Sequence, residues 1–381
     1  MSIAFIDLKA QQARIRDKVE AGFQTVLDHG AFIMGPEIFA LETRLGEWTG
    51  VAHNISCSSG TDALLLALMG LELQSGQGVI VPSFTFAASA EVMPVMGAIP
   101  IFAEVEKTSF NLDPEKLPQA LAAGKAAGIN IVGIIGVGLF GQPANYAAIG
   151  NFARENGLWL IDDAAQSFGA TRHGKPVGQL ADVTCTSFFP AKPLGAYGDG
   201  GAIFTNDNKI AEITRSCRVH GMGRDKYENI RIGMTGRLDT MQAVVLDAKL
   251  DIFADELVHR QNAANRYAAL LEGVVSTPSL EAGVTSSWAQ YVIQLPQGSD
   301  RDAICKSLAN SGVPTAIYYP VPMHRQPPYA NYPVSACNLP VTMDLCDHVL
   351  ALPMHPYLET AQQAHIASSL KDALALSLIH I

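Results

Sequence analysis

A lysine, a pair of aspartates and a short Ser-Gly-Thr run are the residues of this chain that could do chemistry. Lys192 lies in a loop between Pro190 and Pro193, directly after an apolar stretch that is typical of a strand. A lysine placed among aromatic side chains loses hydration, which lowers its pKa and makes its amine a nucleophile for a Schiff base. A lysine in a loop is more commonly just exposed to solvent, and this segment alone leaves both interpretations open.

The aspartate pair follows a predicted buried strand. Asp162 and Asp163 come directly after the apolar run at 158–161. In α/β proteins, ligands bind at the carboxyl ends of the parallel strands. A carboxylate there can keep a pyridine nitrogen protonated, so that the ring becomes an electron sink. Capping of the helix that follows would also explain an aspartate at this position.

The Ser-Gly-Thr run at 59–61 precedes an apolar stretch at 63–71 that predicts a helix. Small polar residues at a helix N-terminus leave backbone N–H groups free to bind a phosphate, although capping alone would account for them as well. The three features together supply a Schiff-base lysine, a pyridinium partner and a phosphate cup. These are the three groups that hold pyridoxal 5'-phosphate (PLP), and their coincidence favours that cofactor.

Periodic apolar segments predict the elements that would position these residues. Helices are expected at 8–29, 36–48 and 238–266, and the strands between them are short and bounded by Gly, Pro or Asp. This alternation is typical of a mainly parallel α/β sheet covered on both faces. A strand at 288–295 and a helix at 301–311 then indicate a small α+β domain. We therefore predict a large domain at 1–250 and a small C-terminal domain at 251–381. The predicted strands of the large domain are 78–81, 99–102, 129–135, 158–161, 183–188 and 201–204.

Composition limits the classes of protein that the chain can be. Its 381 residues fit two domains at about 150 residues per domain. Hydrophobic residues make up 48% and charged residues only 16%, which excludes a disordered chain and indicates extensive buried surface. The net charge of −10 argues against nucleic acid as a partner.

The cysteines, the N-terminus and one charge-free stretch indicate the compartment of the protein. The six cysteines are scattered without metal-ligand spacing, so we expect reduced thiols, no metal site and a cytoplasmic protein. The N-terminus lacks the long apolar region of a signal peptide. The charge-free stretch at 126–153 has an apolar part too short to span a membrane, so a buried strand is expected. The apolar tail at 376–381 is expected to lie beyond the last helix, and we predict no function for it.

A second motif favours a different cofactor. Residues 136–141 match G-x-G-x-x-G, follow a predicted strand, and precede the aspartate pair by about 20 residues, as in dinucleotide-binding folds. Pro143 follows closely, so the next helix must begin later and the glycines would not open it. A tight turn is the favoured interpretation, and a nicotinamide-dependent oxidoreductase remains an alternative.

A basic segment at 215–238 indicates where an anionic substrate could bind. It holds six basic and two acidic residues, a local excess of four positive charges in an acidic chain. A solvated surface is one interpretation, and recognition of a diphosphate and a carboxylate is the other. Arg237 is the candidate for a sugar carboxylate. His220 and His324 are weaker substrate candidates, since each also suits a structural loop.

From Phe5 to about Pro356 the chain resembles the DegT/DnrJ/EryC1/StrS sugar aminotransferases, a family of fold-type I PLP enzymes. That resemblance implies an aspartate-aminotransferase-like fold and transfer of an amino group, with glutamate the expected donor, to a nucleotide-linked keto sugar. It is strongest for members that aminate UDP-N-acetyl-3-oxo-glucuronate at its 3-keto group for surface polysaccharide, such as the O-antigen of lipopolysaccharide. The segments that carry it are Ser59–Leu64, Pro82–Phe86, Asp162–Ser167, Phe188–Gly201, Arg237–Asp239 and Tyr319–Pro322.

The resemblance also implies roles for single residues. Lys192 would bind the cofactor covalently and move protons, and Asp163 would pair with the ring nitrogen. Asp162 fills the companion acidic position. The remaining cofactor contacts would be the ring-stacking Phe86, the ring-oxygen contact Gln166, and the phosphate ligands Gly60, Thr61 and Ser187.

Family members are homodimers with shared sites, which implies that the loop before Arg237 reaches the partner's site. In many relatives an Asn at the position of Thr235 contacts the phosphate of the cofactor in the partner subunit. Thr can also donate a hydrogen bond, but its side chain reaches less far. Relatives often have His where Tyr318 stands, so the sugar contacts of Tyr318, Tyr319 and His324 would differ from theirs. A 4-keto-sugar aminotransferase using a dTDP or UDP sugar, a PLP sugar dehydratase (which has His at the lysine position) and a non-catalytic regulator remain alternatives.

Overall fold

The helices follow from local signals in the sequence. A computed structural model describes residues 3–225, 227–335 and 339–378. The first helix occupies the predicted residues because Asp7 accepts a hydrogen bond from the N–H of Ala10 at its start, and Gly30, with φ of 69°, ends it. Eleven α-helices lie in the described ranges: α1 (Leu8–His29), α2 (Pro36–Thr49), α3 (Gly60–Gly70), α4 (Ala88–Val95), α5 (Leu117–Ala126), α6 (Tyr146–Glu155), α7 (Asn208–Cys217), α8 (Thr240–Leu271), α9 (Arg301–Asn310), α10 (Pro340–His348) and α11 (Thr360–Leu378).

The strands are short and mostly buried. They are β1 (His53–Cys57), β2 (Gly78–Pro82), β3 (Ile99–Ala103), β4 (Ile131–Val137), β5 (Trp159–Asp163), β6 (Thr171–Arg172), β7 (Lys175–Pro176), β8 (Val183–Ser187), β9 (Gly201–Thr205), β10 (Tyr291–Gln294) and β11 (Val349–Leu352). All six strands predicted for the large domain are confirmed within a few residues. The charge-free stretch at 126–153 contains β4, a largely buried strand, as predicted.

Seven strands form one sheet in the order β1-β9-β8-β5-β4-β2-β3. Every neighbouring pair from β3 to β8 is parallel, whereas β9 is antiparallel to both of its neighbours. The carboxyl ends of β1, β5 and β8 therefore lie at one edge of the sheet. This is the mainly parallel sheet that the alternating pattern predicted.

Helices cover both faces of the sheet, as expected. Successive residues of β5 point to opposite sides: Leu160 packs in a core with α5 and α6, and Ile161 packs in a core with α3, α4 and α7. The same alternation continues to the end of the strand. Asp162 and Asp163 therefore face opposite sides of the sheet.

The C-terminal part is a smaller α+β unit. Its antiparallel pair β10–β11 packs with α9, α11 and the second half of α8 around Tyr267, Tyr291 and Leu352. Helix α8 is continuous across the predicted boundary at residue 250. Ile3, at the other end of the chain, packs in this second core.

Two expectations for the C-terminal part were wrong in detail. Strand β10 begins at Tyr291 and not at Trp288, because Trp288 adopts a positive φ of 49° that a strand cannot contain. Helix α11 continues through Leu378, so residues 376–378 belong to it, while residues 379–381 lie outside the described part of the chain.

Cysteines and hydropathy complete the description. Cys57, Cys185, Cys217, Cys305 and Cys346 carry free thiols, as the scattered spacing predicted, and Cys337 lies outside the described residues. Within the described ranges, no helix combines the length and the apolar character needed to cross a bilayer.

Candidate active site

A cavity of about 480 Å³ opens at the carboxyl edge of the large sheet. Its walls come from the ends of β5 and β8, the start of α3, the loop after β8 and the Tyr318–Tyr319 segment of the C-terminal part. Nine of the residues predicted from the sequence line it together: Gly60, Thr61, Phe86, Asp163, Gln166, Ser187, Lys192, Tyr318 and Tyr319.

Lys192 is held in the cavity by a tight loop. Its backbone N–H donates to the carbonyl of Phe189 at 2.8 Å, and the N–H of Ala196 donates to the carbonyl of Phe188 at 2.7 Å. Burial lowers the pKa of the Lys192 amine, and the nearby Asp163 carboxylate offsets part of that shift. The lowered pKa agrees with the desolvated lysine expected from the sequence.

The two aspartates that end β5 differ in their surroundings. Asp163 lines the cavity, where its Oδ2 accepts a hydrogen bond from Ser89 Oγ at 2.6 Å and its Oδ1 accepts one from the N–H of Ala165 at 3.2 Å. Asp162 is fully buried on the opposite face and accepts from Tyr146 OH at 2.5 Å. Burial raises the pKa of both carboxyl groups, that of Asp162 to about 7. Asp163 alone can contact a ligand in the cavity.

The start of α3 forms a cup of free donors. Ser59 caps the helix by accepting from the N–H of Asp62 at 3.0 Å, while the first-turn N–H groups of Gly60 and Thr61 precede any intrahelical partner. A Cβ at Gly60 would lie 2.6 Å from the Cβ of Ser187, so only glycine allows α3 and the end of β8 to approach this closely. The helix N-terminus and the Ser187 hydroxyl therefore meet at one point.

This set of groups fits PLP. A lysine amine with a lowered pKa, a buried carboxylate and a helix N-terminus with an adjacent hydroxyl line one cavity. They match in turn the aldehyde, the ring nitrogen and the phosphate of that cofactor.

Aromatic residues form the rest of the wall. The ring of Phe86 is 56% exposed at the cavity, which leaves a face free for stacking. Gln166 is fixed between two segments, since its Oε1 accepts from the N–H of Phe140 at 2.8 Å and its Nε2 donates to Tyr319 OH at 3.2 Å. Tyr318 packs edge-on against Phe5 with ring centroids 6.4 Å apart.

Three predicted substrate or phosphate contacts lie outside this cavity. Arg237 lines a separate surface cavity of about 690 Å³ together with His220 and Arg231. Thr235 lies beside it, its hydroxyl 2.8 Å from His220 Nε2. His324 is buried with its Nδ1 2.6 Å from Ser83 Oγ, and burial lowers its pKa. Within a single chain the structure does not bring these residues to the PLP-type site.

The basic segment at 215–238 is partly neutralised by its neighbours. Arg218 is buried and forms an ion pair with Glu42 at 2.6 Å, and Arg231 forms one with Glu212 at 3.0 Å. Arg218 is therefore a structural residue. Arg237 differs, because no ion pair joins it to another described residue; its Nε, like that of Arg218, is buried without a hydrogen-bond partner there. Lys226 lies outside the described part of the chain.

The glycine motif at 136–141 has packing roles. Helix α6 begins only at Tyr146, so the glycines do not open a helix, as Pro143 predicted. A Cβ at Gly136 would meet the Tyr146 ring at 2.7 Å, and one at Gly138 would meet Ser167 Oγ at 2.1 Å. The arrangement does not offer the helix N-terminus that a dinucleotide pyrophosphate needs.

Several cavity residues were not predicted from the sequence. Thr85 and Ser89 lie behind Asp163. Thr85 belongs to the Pro82–Phe86 segment that carries the family resemblance, but the sequence predicts no role for its side chain. Phe5, Ile6 and Gln290 line the outer wall although they are far apart in sequence. No local pattern marks them, since they reach the site only through the packing of the small unit on the large one.

Comparison with known proteins identifies the family. Residues 13–371 match the DegT/DnrJ/EryC1/StrS aminotransferase family, and the chain belongs to it. The expectation from the sequence motifs is confirmed. So is the fold, since a crystal structure of a family member from Brucella abortus matches 98% of this chain and 99% of its own with a TM-score of 0.95 at 45% identity.

Two curated relatives are similar over almost their whole length. One is the UDP-2-acetamido-2-deoxy-3-oxo-D-glucuronate aminotransferase of Pseudomonas aeruginosa, 45% identical over 97% of this chain and 100% of the relative. The other is a UDP-N-acetyl-3-dehydro-alpha-D-glucosamine 3-aminotransferase from Acidithiobacillus ferrooxidans, 39% identical over 98% of both chains. Both names describe amination at position 3 of a UDP-linked sugar.

Proposed function

We propose that this protein is a PLP-dependent aminotransferase that moves an amino group from an amino acid to the 3-keto group of a UDP-linked N-acetyl sugar. The observation that carries the proposal is the shared cavity of Lys192, Asp163 and the Gly60–Thr61 cup. The proposed acceptor is UDP-N-acetyl-3-oxo-glucuronate, the proposed donor is glutamate, and the proposed use is surface polysaccharide such as lipopolysaccharide O-antigen.

The cofactor is proposed to be PLP, held by residues of one cavity. Lys192 would bind it covalently, Asp163 would face the ring nitrogen, and Phe86 would stack on the ring. The N–H groups of Gly60 and Thr61 and the Ser187 hydroxyl would donate to the phosphate, whose charge the helix N-terminus favours. When bound, PLP supplies an aldehyde for the amino group and a ring that accepts an electron pair.

The protein's own groups then handle the protons. Lys192 Nζ, freed when the amino group of the donor takes its place and with its pKa lowered by burial, would take a proton from the α-carbon of the donor and return one later as an acid. Asp163 supplies a negative charge to the side of the site that faces the ring. The aromatic wall of Phe5, Tyr318 and Tyr319 excludes water. The donor would leave as a 2-oxo acid whose keto oxygen comes from water, and the keto carbon of the sugar would receive the amino group while its oxygen leaves as water.

Two observations support a UDP-linked 3-keto sugar acid as the acceptor. Both curated relatives are named for amination at position 3 of a UDP sugar, and the glucuronate enzyme has the higher identity. Arg237 has an unpartnered buried Nε, and a guanidinium can bind a carboxylate through two hydrogen bonds. Arg237 is therefore the proposed contact for the sugar carboxylate.

The proposal includes a cytoplasmic homodimer with shared sites. The loop before Arg237 exposes apolar side chains, among them Ile232 at 89% and Ile230 at 53%, which a partner subunit would bury. In such a dimer Thr235 and Arg237 of one protomer would serve the cavity of its partner. This arrangement explains why a single chain leaves them outside the PLP-type site.

The reverse half-reaction tests the acceptor. The PLP form is incubated with a panel of amino sugars while conversion of the cofactor to its amine form is followed by absorbance. We expect conversion with the UDP-linked 3-amino sugar acid, and slower conversion with the 3-amino-N-acetylglucosamine analogue that lacks the carboxylate. A response confined to dTDP-4-amino sugars would refute the acceptor and leave the aminotransferase class intact. Glutamate serves in the same assay as the positive control for the donor side.

A further inference from the structure

We propose that Ser89 and Thr85 form a hydroxyl relay that holds Asp163 as an oriented carboxylate for the cofactor's ring nitrogen. The inference rests on the proposed function, because it concerns the same cavity and the same cofactor. Ser89 and Thr85 are positioning residues, since they act through Asp163 and not on the reacting atoms.

The contacts are short and sealed from solvent. Ser89 Oγ lies 2.6 Å from Asp163 Oδ2, and Thr85 Oγ1 lies 2.9 Å from Ser89 Oγ. The exposed fractions are 1% for Ser89, 3% for Thr85 and 4% for Asp163. Little of either hydroxyl is exposed to solvent, and each hydrogen bond acts in a medium of low dielectric constant.

The proton count fixes the direction of the relay. Each hydroxyl has one proton to donate. An ionised Asp163 can only accept, so the proton of Ser89 goes to Asp163 Oδ2. Thr85 then donates its own proton to Ser89 Oγ, which strengthens the Ser89 donor by polarisation. All the donors in the chain point towards the carboxylate.

The carboxylate needs this support because its surroundings disfavour charge. Burial raises the pKa of Asp163, while the hydrogen bonds from Ser89 and the Ala165 N–H, and the charge of Lys192, act in the opposite direction. The Ala165 contact is the longer of the two hydrogen bonds, at 3.2 Å. Ser89 is therefore the strongest donor to Asp163, and its loss would leave an acid that remains neutral more readily.

Local structure places the relay next to another predicted cofactor contact. Thr85 follows the end of β2, and Ser89 is in the first turn of α4, where its N–H donates to the carbonyl of Phe86 at 3.3 Å. One turn thus carries both the relay and Phe86. The relay and the stacking ring are positioned by the same backbone.

Binding of two ligands to the full-length apo protein tests the relay without measuring turnover. The ligands are PLP and its carbocyclic analogue, in which a C–H replaces the ring nitrogen. We expect Ser89→Ala to weaken PLP binding about 10- to 100-fold, the range for a hydrogen bond to a charged group. The analogue has no ring N–H to face Asp163, so its dissociation constant should change less than about twofold.

Matched controls separate the relay from simple loss of packing. Ser335→Ala removes another buried serine hydroxyl, one without a hydrogen-bond partner among the described residues, and should leave both dissociation constants unchanged. Thr85→Val should weaken PLP binding about 2- to 10-fold, less than Ser89→Ala, because Thr85 acts one bond further away. Thr214→Val, at a buried threonine that likewise has no partner in the described ranges, is its control.

The outcomes distinguish the relay from the proposed function. Equal weakening of PLP and the analogue by Ser89→Ala would overturn the relay and make Ser89 a packing residue. Unchanged PLP binding in Ser89→Ala would overturn it as well, while normal binding by the wild-type protein keeps the PLP assignment. A wild-type protein that binds neither ligand would overturn the cofactor assignment and the relay with it.

Discussion

The proposed active site has a cofactor end and a substrate end, and the residues of the two ends are arranged differently in this molecule. The residues assigned to the cofactor, Thr235 apart, lie at or after the ends of β2, β5 and β8 or begin α3, and they line one cavity. The residues assigned to the sugar nucleotide lie on connecting segments: Tyr318 and Tyr319 line the same cavity, whereas Arg237 and His324 lie outside it. The comparison teaches that one chain brings together most of the residues proposed for the cofactor, whereas Arg237, proposed for the sugar carboxylate, lies apart from them.

The largest effect is expected at the cofactor end. Lys192→Ala should abolish the absorbance of the bound cofactor in the visible range and lower turnover by at least about 10³-fold, because no other lysine in the described ranges lines the cavity to form the covalent link or move the proton. Absorbance spectra and a transamination assay measure both. Lys125→Ala, at an exposed lysine on α5, should change neither. An unchanged spectrum in Lys192→Ala would break the assignment of the whole cofactor end.

A smaller effect is expected at the substrate end. Arg237→Ala should lower kcat/KM for the sugar nucleotide about 10- to 100-fold, the loss of a hydrogen-bonded charge pair. The half-reaction with glutamate should change less than about twofold, because the proposal places Arg237 at the carboxylate of the sugar and not at those of the donor. Steady-state and half-reaction kinetics separate the two. Arg215→Ala, in the same basic segment, is the control, and equal loss in both half-reactions would place Arg237 at the cofactor.

Mixed dimers sharpen the same comparison. If sites are shared, a dimer of one Lys192→Ala and one Arg237→Ala protomer contains one intact site, because the intact lysine and the intact arginine then meet. Random reassociation should therefore recover about a quarter of wild-type activity. Each variant alone would remain far below that level. No recovery on mixing would mean that Arg237 serves its own chain.

The smallest effect concerns the stability of the folded protein and depends on Asp162, near the carboxyl end of the central strand β5. Burial raises the pKa of Asp162 to about 7 in the folded state, above the value of about 4 in an unfolded chain. The folded state therefore binds the extra proton, and this residue's contribution to stability falls as pH rises from about 4 to 7. The free energy of unfolding of Asp162→Asn, relative to that of the wild type, should therefore rise by roughly 2 kcal/mol between pH 5 and pH 8.

Urea unfolding at the two pH values measures that gain. Asp17→Asn, at an exposed carboxylate of α1, should show no such difference between pH 5 and pH 8. Catalytic activity of Asp162→Asn should stay near that of the wild type, because Asp162 faces away from the cavity. A stability gap that is the same at both pH values would mean that Asp162 is not neutralised by its burial.

Much of the cofactor end could be predicted from the sequence. Asp163, Lys192 and Gly60 each follow or begin an element whose apolar pattern is strong, and parallel strands bring such positions to one edge. The Leu8–His29 helix was predicted to the residue because Asp7 and Gly30 mark its ends. Periodicity and capping are local properties, so they can be read from neighbouring residues alone.

The rest of the site depends on contacts between distant segments. Ser89 is a single serine in a helical stretch, and nothing in the sequence places its hydroxyl on Asp163, 74 residues away. Phe5 and Gln290 meet at one wall only because the small unit packs over the sheet edge. Arg218 looked like part of an anion site, but its partner Glu42 is 176 residues away in α2.

Helix α8 gives the molecule a stiff frame. Its 32 residues include no glycine or proline, and at 1.5 Å per residue they form a rod of about 48 Å that begins against the large sheet and ends in the second core. The large sheet and the second core are therefore joined by one continuous helix and not by a flexible linker. One residue inserted near its middle would rotate everything beyond it by about 100°, and the tyrosine wall would no longer face the lysine.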